Sequence, residues 1–361
     1  MSTAKNKPGF LAIELDGAGW DSAQLTRAVL AAEQAGFHAA TFTDAPAPGR
    51  ANALLRAAFA GPVTRNIAVI PEVDTVYTEP FHISTQLASL DYVSRGRAGW
   101  IVTAAESAEA AAAVGRSAVT GAALGQEAAA SVEVSRRLWD SWEDDAVIRD
   151  VATGRYIDVD KLHYADFETG DKFAGDAYAV KGPSIIPRPL QGQLPVLAAA
   201  DLVGEGSIPV ESVDAVLVTA PTPELLVGEV RDVKARLAGA NGDAVAVVAE
   251  LDVVLDSRGQ AAAERVAGTR SGRARFVGSP AELTDFLAEL LTAADGVRLH
   301  PLDLFVDLQE LSLLVLPELR RRGALRDVIQ DGTFREVLGL ERPVNRYASA
   351  LSAAAPAGAG K

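Results

Sequence analysis

The chain has 361 residues, of which 48% are hydrophobic and 23% are charged, so it can bury a large core beneath a solvated shell. Its 34 basic and 48 acidic side chains give a formal net charge of -14, which repels nucleic-acid phosphates and anionic membrane surfaces and argues against both as partners. It has no cysteine, which excludes disulfides and thiolate chemistry; it also shows no secretory signal and no apolar run of roughly 18 residues, so a cytoplasmic location is expected.

Short apolar runs alternate with alanine-rich helical stretches in the first part of the chain. Helices are predicted at 21–36, 54–64 and 80–93, and the first is bounded by Asp21 as N-cap and Gly36 as C-terminal stop. The strands predicted around them are FLAIELDG (10–17), FHAATFTDA (37–45), NIAVIPEVD (66–74) and RAGWIVTA (97–104). The period is that of repeated βα units.

The second part of the chain contains a long helix, an irregular region and four more strands. The helix is predicted from about 125 to 142, and the irregular segment 143–193 is interpreted as an insertion that serves as a lid or binding loop, part of it as a hairpin. Two further helices are expected at 223–237 and 280–291. The last four strands are LPVLAAA (194–200), DAVLVTA (214–220), AVAVVAELDVVL (244–255) and GVRLHPLD (296–303).

Eight strands in this order favour an α/β fold of the (β/α)₈ TIM-barrel type over an open sheet. A single barrel domain is predicted over 1–347, and the small-residue tail 348–361 is predicted to be disordered. In such barrels the chemistry lies at the carboxyl ends of the strands. These strand ends are therefore the place to look for a site.

Few residues form a recognisable catalytic motif. The four histidines lack metal-ligand spacing, so no catalytic metal is predicted; His300, after the last strand, either lines a pocket or packs structurally. No GxSxG elbow or P-loop is present. Gly204 and Gly206 follow the fifth strand, where backbone N–H groups at the next helix start could hold a phosphate, although a simple turn explains them equally well.

Five segments resemble one family, the bacterial luciferase-like flavin-dependent monooxygenases. The stretch ASLDYVSRGRAGWIVT is similar to the helix and fourth strand that characterise these proteins. The resemblance is strongest to the branch that oxidises nitrilotriacetate and dibenzothiophene sulfone. The similar segments are 75–86, 88–103, 138–150, 178–197 and 316–346.

The resemblance implies a fold, a cofactor and partners. The fold is a (β/α)₈ barrel of the luciferase-like type, usually a homodimer. The implied activity is a two-component monooxygenation of a small organic substrate with O₂ and reduced FMN, which a separate flavin reductase supplies. A flavin would carry the redox chemistry while the protein positions it and excludes water.

The resemblance also implies positions for the ligands, although no general acid or base is assigned. Asp44 and Thr75 end the second and third strands, where the family places the isoalloxazine ring, and Thr103 supplies a hydroxyl on the fourth. Gly204 and Gly206 are assigned to the cofactor phosphate. The candidate substrate pocket is formed by Asp16 and His300.

Several positions depart from the family pattern and leave an alternative open. Ile101 and Ala104 replace an asparagine and a serine of the fourth strand, Gly125 replaces a phosphate-binding tyrosine, and Asp201 adds a negative charge after the fifth strand. The alternative is a homologue that has lost flavin and acts as a partner subunit or small-molecule binder. An enzyme of this fold that uses a deazaflavin or no exogenous cofactor is a third interpretation.

Overall fold

The structure is a computed structural model that describes residues 7–16, 19–44, 51–170, 173–240, 242, 244–266 and 271–348. The tail predicted to be disordered, 348–361, lies outside these residues except for residue 348. Residues 17, 18 and 45–50, which follow the first two strands, also lie outside them.

Eight parallel strands form a closed barrel, as predicted. Each strand pairs with the next along the chain, and the eighth pairs with the first. The strands are Phe10–Glu14, Ala39–Phe42, Ala68–Asp74, Trp100–Thr103, Val196–Ala199, Ala215–Val218, Ala246–Leu255 and Gly296–Pro301. The seventh is longer than its neighbours, and its outer half also pairs with Arg275–Gly278.

The predicted helices are present with small shifts at their ends. Asp21 caps the first through a reciprocal hydrogen-bond pair with Gln24, and Gly36 ends it in the left-handed conformation at φ 85°. None of the helices in the described parts of the chain is long and apolar enough to cross a membrane. The α-helices are Ser22–Ala35, Ala53–Val63, Pro80–Val93, Ala108–Ala113, Ala122–Asp140, Pro223–Gly239, Ala262–Arg265, Pro280–Ala293, Leu304–Glu310, Leu316–Arg321 and Phe334–Leu338.

The connection between the fifth and sixth strands has no α-helix. Its 15 residues, 200–214, contain only the short 3₁₀ turns Ala200–Leu202 and Val210–Ser212. The prediction of a helix start at Gly204 and Gly206 is therefore wrong. Both glycines have positive φ (142° and 77°), and Pro209 lacks a backbone donor, so the sequence cannot continue a helix here.

The segment 143–193 forms two small antiparallel strand pairs, which confirms that part of it is a hairpin. Val147–Asp150 pairs with Arg155–Ile157, and Phe167–Glu168 pairs with Ala179–Val180. The buried side chain of Arg188 fixes the end of the segment to the barrel through Asp140 at 2.9 Å and Asp144 at 3.0 Å.

The lower half of the barrel interior is an apolar core, closed at the bottom by the helix Phe334–Leu338. Inward-facing side chains such as Phe10, Ile70 and Ile101 pack against Phe334. A Cβ added at Gly99 would lie 2.7 Å from the Phe334 ring, so this strand position requires glycine. The upper half of the interior is charged.

Candidate functional site

A buried charged layer fills the upper part of the barrel, where branched aliphatic side chains ordinarily pack. At its centre the guanidinium of Arg298 donates to Glu14 (2.5 Å), Glu72 (2.8 Å) and Glu250 (2.9 Å), and its Nε donates to the Thr41 hydroxyl (2.8 Å). These groups come from the first, second, third, seventh and eighth strands. The layer therefore ties five strands together.

One guanidinium faces three carboxylates, so the charged layer is acidic. Burial works to raise the pKa of Glu14 and of Glu250, but the charge of Arg298 and the hydrogen bonds that the two carboxylates accept outweigh it and lower both, to about 2 for Glu250. Glu72 differs, because burial dominates and its pKa is raised. A proton retained by this layer would therefore reside on Glu72.

His300 lies at the upper boundary of the charged layer and is only 8% exposed. Its Nε2 contacts Glu250 Oε1 at 3.2 Å. Burial and the charge of Arg298 lower the pKa of His300, which keeps the imidazole neutral at neutral pH. We call the charged layer of Glu14, Glu72, Glu250 and Arg298 the floor of the site. Of the two predicted substrate-pocket residues, His300 is held within this floor, whereas the Asp16 side chain is 43% exposed and lies 3.9 Å from Arg56.

Above the floor, the strand ends form a rim of polar side chains. Asp44, Asp74 and Thr103 end the second, third and fourth strands and are all half-buried. Asp74, which sequence reasoning missed, accepts hydrogen bonds from the backbone of Tyr77 (2.7 Å) and Val76 (3.2 Å), and burial raises its pKa. The structure therefore brings the predicted Asp44 and Thr103 to one rim.

Thr75 is buried beneath this rim. Its hydroxyl and its backbone N–H both donate to the Thr103 carbonyl oxygen at 2.9 Å. The predicted pair Thr75 and Thr103 is thus brought together, but the Thr75 hydroxyl proton is already used in joining the ends of the third and fourth strands.

Thr75 also borders a cavity of about 430 Å³, whose opposite wall is residues 176–180 of the insertion. The Tyr178 hydroxyl is buried here and has no hydrogen-bond partner among the described residues. Arg116 pairs with the buried Glu127 at 2.5 Å on the same wall. The insertion therefore covers the barrel beside the third strand, and the Tyr178 hydroxyl is buried in this wall.

The two elements assigned to a cofactor phosphate do meet in space. A Cβ at Gly125, in the helix Ala122–Asp140, would lie 2.6 Å from Ser207 Oγ. The Ser207 hydroxyl donates to the Leu202 carbonyl (2.7 Å), and the N–H groups of Gly204 and Ser207 donate within the same loop, to Ile208 and Gly204. These donors are consumed by the loop itself.

The described residues fit the two ends of FMN differently. The isoalloxazine ring has an imide N–H, and the rim carboxylates Asp44 and Asp74 are suitable acceptors for such a donor. The phosphate dianion needs cations or free N–H groups, whereas the loop after the fifth strand exposes the carboxylates of Asp201 and Glu205. The ring end fits and the phosphate end does not.

Sequence reasoning missed the floor residues Glu14, Glu72, Glu250 and Arg298, although a signal was present. Each is a charged residue at an inward position of a mostly apolar strand. A charge in such a run is expected to be buried and paired, and several on different strands of one barrel must pair with each other. That reasoning would have found the layer.

The closed barrel and its accessible strand-end rim define an α/β barrel with a candidate ligand site at the usual face. The profile of the luciferase-like monooxygenase family matches residues 10–299, and the chain belongs to that family.

Individual relatives and one solved structure agree with this assignment. N-acetyl-S-(2-succino)cysteine monooxygenase of Bacillus subtilis (strain 168) is 30% identical, covering 79% of this chain and 80% of its own. Nitrilotriacetate monooxygenase component A of Aminobacter aminovorans is 26% identical, covering 79% and 78%. The crystal structure of a riboflavin lyase with a modified FMN and its substrate riboflavin shares the fold, with a TM-score of 0.75 at 21% identity, covering 94% of this chain and 98% of its own.

Proposed function

We propose that the protein is the oxygenase component of a two-component monooxygenase that acts on a small organic substrate with O₂ and reduced FMN from a separate flavin reductase. The observation that carries the proposal is the polar strand-end rim beside a cavity in a barrel of this family. The relatives named above as monooxygenases support it. They favour this function over a flavin-free partner subunit.

The chain's own residues would position the cofactor at the rim. Asp44 and Asp74 would accept hydrogen bonds from the ring, Thr103 would contact its edge, and the bond from Thr75 to Thr103 would hold two strand ends in place. When bound, the flavin supplies two electrons and the activation of O₂. Beneath the rim, the ion pairs of Arg298 with Glu14, Glu72 and Glu250 connect the strands that carry these residues.

The substrate would occupy the cavity beside Thr75. Its volume suits a small molecule, and the Tyr178 hydroxyl offers a donor to a substrate acceptor atom such as a carbonyl or carboxylate oxygen. We expect Tyr178→Phe to raise KM with less effect on kcat, because the hydroxyl binds substrate outside the reacting centre.

A flavin titration tests the proposed function. The protein is mixed with oxidised and reduced FMN, and fluorescence and heat are followed; turnover of O₂ is measured with a flavin reductase present. Micromolar binding is expected, weakened in Asp44→Asn but unchanged in Asp232→Asn, which removes the same charge from the outer helix Pro223–Gly239. No binding at millimolar flavin and no turnover would refute the function and favour the partner-subunit alternative.

We also propose a homodimer in the cytoplasm, where a reductase can deliver reduced flavin. Leu55, Phe59 and Val63 form a stripe at four-residue spacing on the helix Ala53–Val63 and are 59%, 39% and 38% exposed. Light scattering should show a dimer that Phe59→Glu dissociates and that Leu225→Glu, a change at another exposed apolar helix position, does not. A monomer at micromolar concentration would contradict the proposal.

A further inference from the structure

Three donors of the loop after the fifth strand already bond within the loop. Gly204 N–H donates to the Ile208 carbonyl at 3.0 Å, Ser207 N–H to the Gly204 carbonyl at 3.1 Å, and the Ser207 hydroxyl to the Leu202 carbonyl at 2.7 Å. A phosphate that recruited these donors would have to break contacts inside the loop. The helix dipole that often compensates for such a rearrangement is missing, because no α-helix begins between residues 200 and 214.

The helix opposite the loop leaves no space at Gly125, although its next residue, Gln126, lines the adjoining groove. Gly125 lies so close that even a Cβ would approach Ser207 Oγ to 2.6 Å and the Gly206 carbonyl oxygen to 3.3 Å. The groove that continues beside this contact is lined by groups such as Ala129, Ala130 and Phe167. No lysine or arginine is among the described residues that line it.

The charges on the loop oppose a phosphate. Asp201 and Glu205 are exposed carboxylates on the same 15-residue connection that carries Gly204 and Ser207. One cation lies next to it: Arg236 donates from Nη2 to the Ala200 carbonyl oxygen at 2.7 Å, which places its guanidinium beside Asp201 in sequence. That guanidinium already donates to a backbone carbonyl of this loop.

We propose that this chain recognises its flavin through the ring and not through the terminal phosphate, so that it binds riboflavin about as tightly as FMN. The inference rests on the proposed function, since it concerns the flavin of the same site. It assigns the carboxylates of Asp44 and Asp74 at the rim as the recognition elements, and the connection 200–214 as a segment that does not hold the phosphate.

Paired titrations of the full chain with riboflavin and with FMN, followed by flavin fluorescence in the dark, test the proposal. The two Kd values should agree within about threefold, whereas a single charge-assisted hydrogen bond to the phosphate would favour FMN by about tenfold or more. Added salt should tighten FMN binding and leave riboflavin binding unchanged, because it screens repulsion by Asp201 and Glu205.

Variants locate the effect. The double variant Asp201→Asn, Glu205→Gln should lower the Kd for FMN and leave the Kd for riboflavin unchanged. The matched pair Glu229→Gln with Asp232→Asn, which removes two exposed charges from the helix Pro223–Gly239, should alter neither. Arg236→Gln should not weaken FMN selectively.

Each remaining outcome overturns a stated part. Recognition independent of the phosphate is overturned if FMN binds at least tenfold more tightly than riboflavin, or if Arg236→Gln weakens only FMN binding. Either result leaves the proposed function unchanged. Binding of neither flavin overturns the proposed function itself.

Discussion

Replacing Arg298 by methionine should destabilise the barrel strongly. Methionine fills part of the space but leaves Glu14, Glu72 and Glu250 without the guanidinium that now contacts all three at 2.5–2.9 Å. Removing one partner of a buried ion network costs about 3–5 kcal/mol, mainly because the remaining charges stay buried and unpaired. The free energy of unfolding should fall by that amount at pH 7.

The loss should shrink in acid, and the sign follows from the pKa shifts. Arg298 now holds the pKa of Glu14 and of Glu250 down, so their stabilisation is present above their unfolded pKa and is lost as pH falls. Without Arg298, burial raises both folded pKa values above the unfolded ones, and the penalty is complete only above the raised values. The substitution should therefore lower the free energy of unfolding less at pH 5 than at pH 7.

Urea unfolding followed by circular dichroism and tryptophan fluorescence measures both effects. Arg321→Met is the control, since Arg321 is 73% exposed and pairs only with helix neighbours on the surface, and it should not shift the midpoint. A loss under about 1 kcal/mol at pH 7, or one that does not diminish at pH 5, would refute the view that the floor is a paired and desolvated network.

Three further changes probe the same core. Glu72→Gln should destabilise less than Glu14→Gln in urea, because burial raises the pKa of Glu72 and a neutral group already suits that position; the opposite ranking contradicts this assignment. Gly99→Ala should lower the free energy of unfolding by about 1–3 kcal/mol, because the added Cβ would lie 2.7 Å from the Phe334 ring. Gly228→Ala has open space on an exposed helix and should raise it by about 0.5–1 kcal/mol. Thermal midpoints that shift in the same direction in both variants would contradict this expectation. Burial lowers the pKa of His38 from 6.5 to about 4, so the unfolded state binds the proton first as pH falls. About 3 kcal/mol of the free energy of unfolding should therefore be lost as pH falls between these two values. His38→Gln should reduce the slope of the free energy of unfolding against pH, and an unchanged slope would contradict this assignment.

The fold was predictable because its signals are local and repeated. Apolar runs bounded by Asp21, Gly36 and similar caps mark each βα unit, and eight such units leave few arrangements other than a closed barrel. The helix expected after Gly204 failed for an equally local reason, the two positive-φ glycines and Pro209. That reason could have been read from the sequence.

The site was less predictable because it depends on how strands align around the barrel. Asp44 and Thr103 were found from their places at strand ends, since the carboxyl ends of all strands meet at one face. The partner of Arg298 could not be chosen among many acids without the register that sets Glu250 opposite it. The pairing of Thr75 with the Thr103 carbonyl depends likewise on the alignment of two neighbouring strands.

The floor and the loop after the fifth strand belong to one electrostatic pattern. Three glutamates outnumber Arg298 below the rim, Asp16, Asp44 and Asp74 stand on it, and Asp201 extends the negative charge along the next connection. The buried glutamates are little screened, whereas the exposed Asp16 and Asp201 act through solvent, and charges on both sides disfavour a phosphate dianion. The isoalloxazine ring, in contrast, has an imide N–H that can donate to the rim carboxylates. The stability prediction and the flavin prediction are therefore connected, because both depend on the carboxylates of the floor remaining charged.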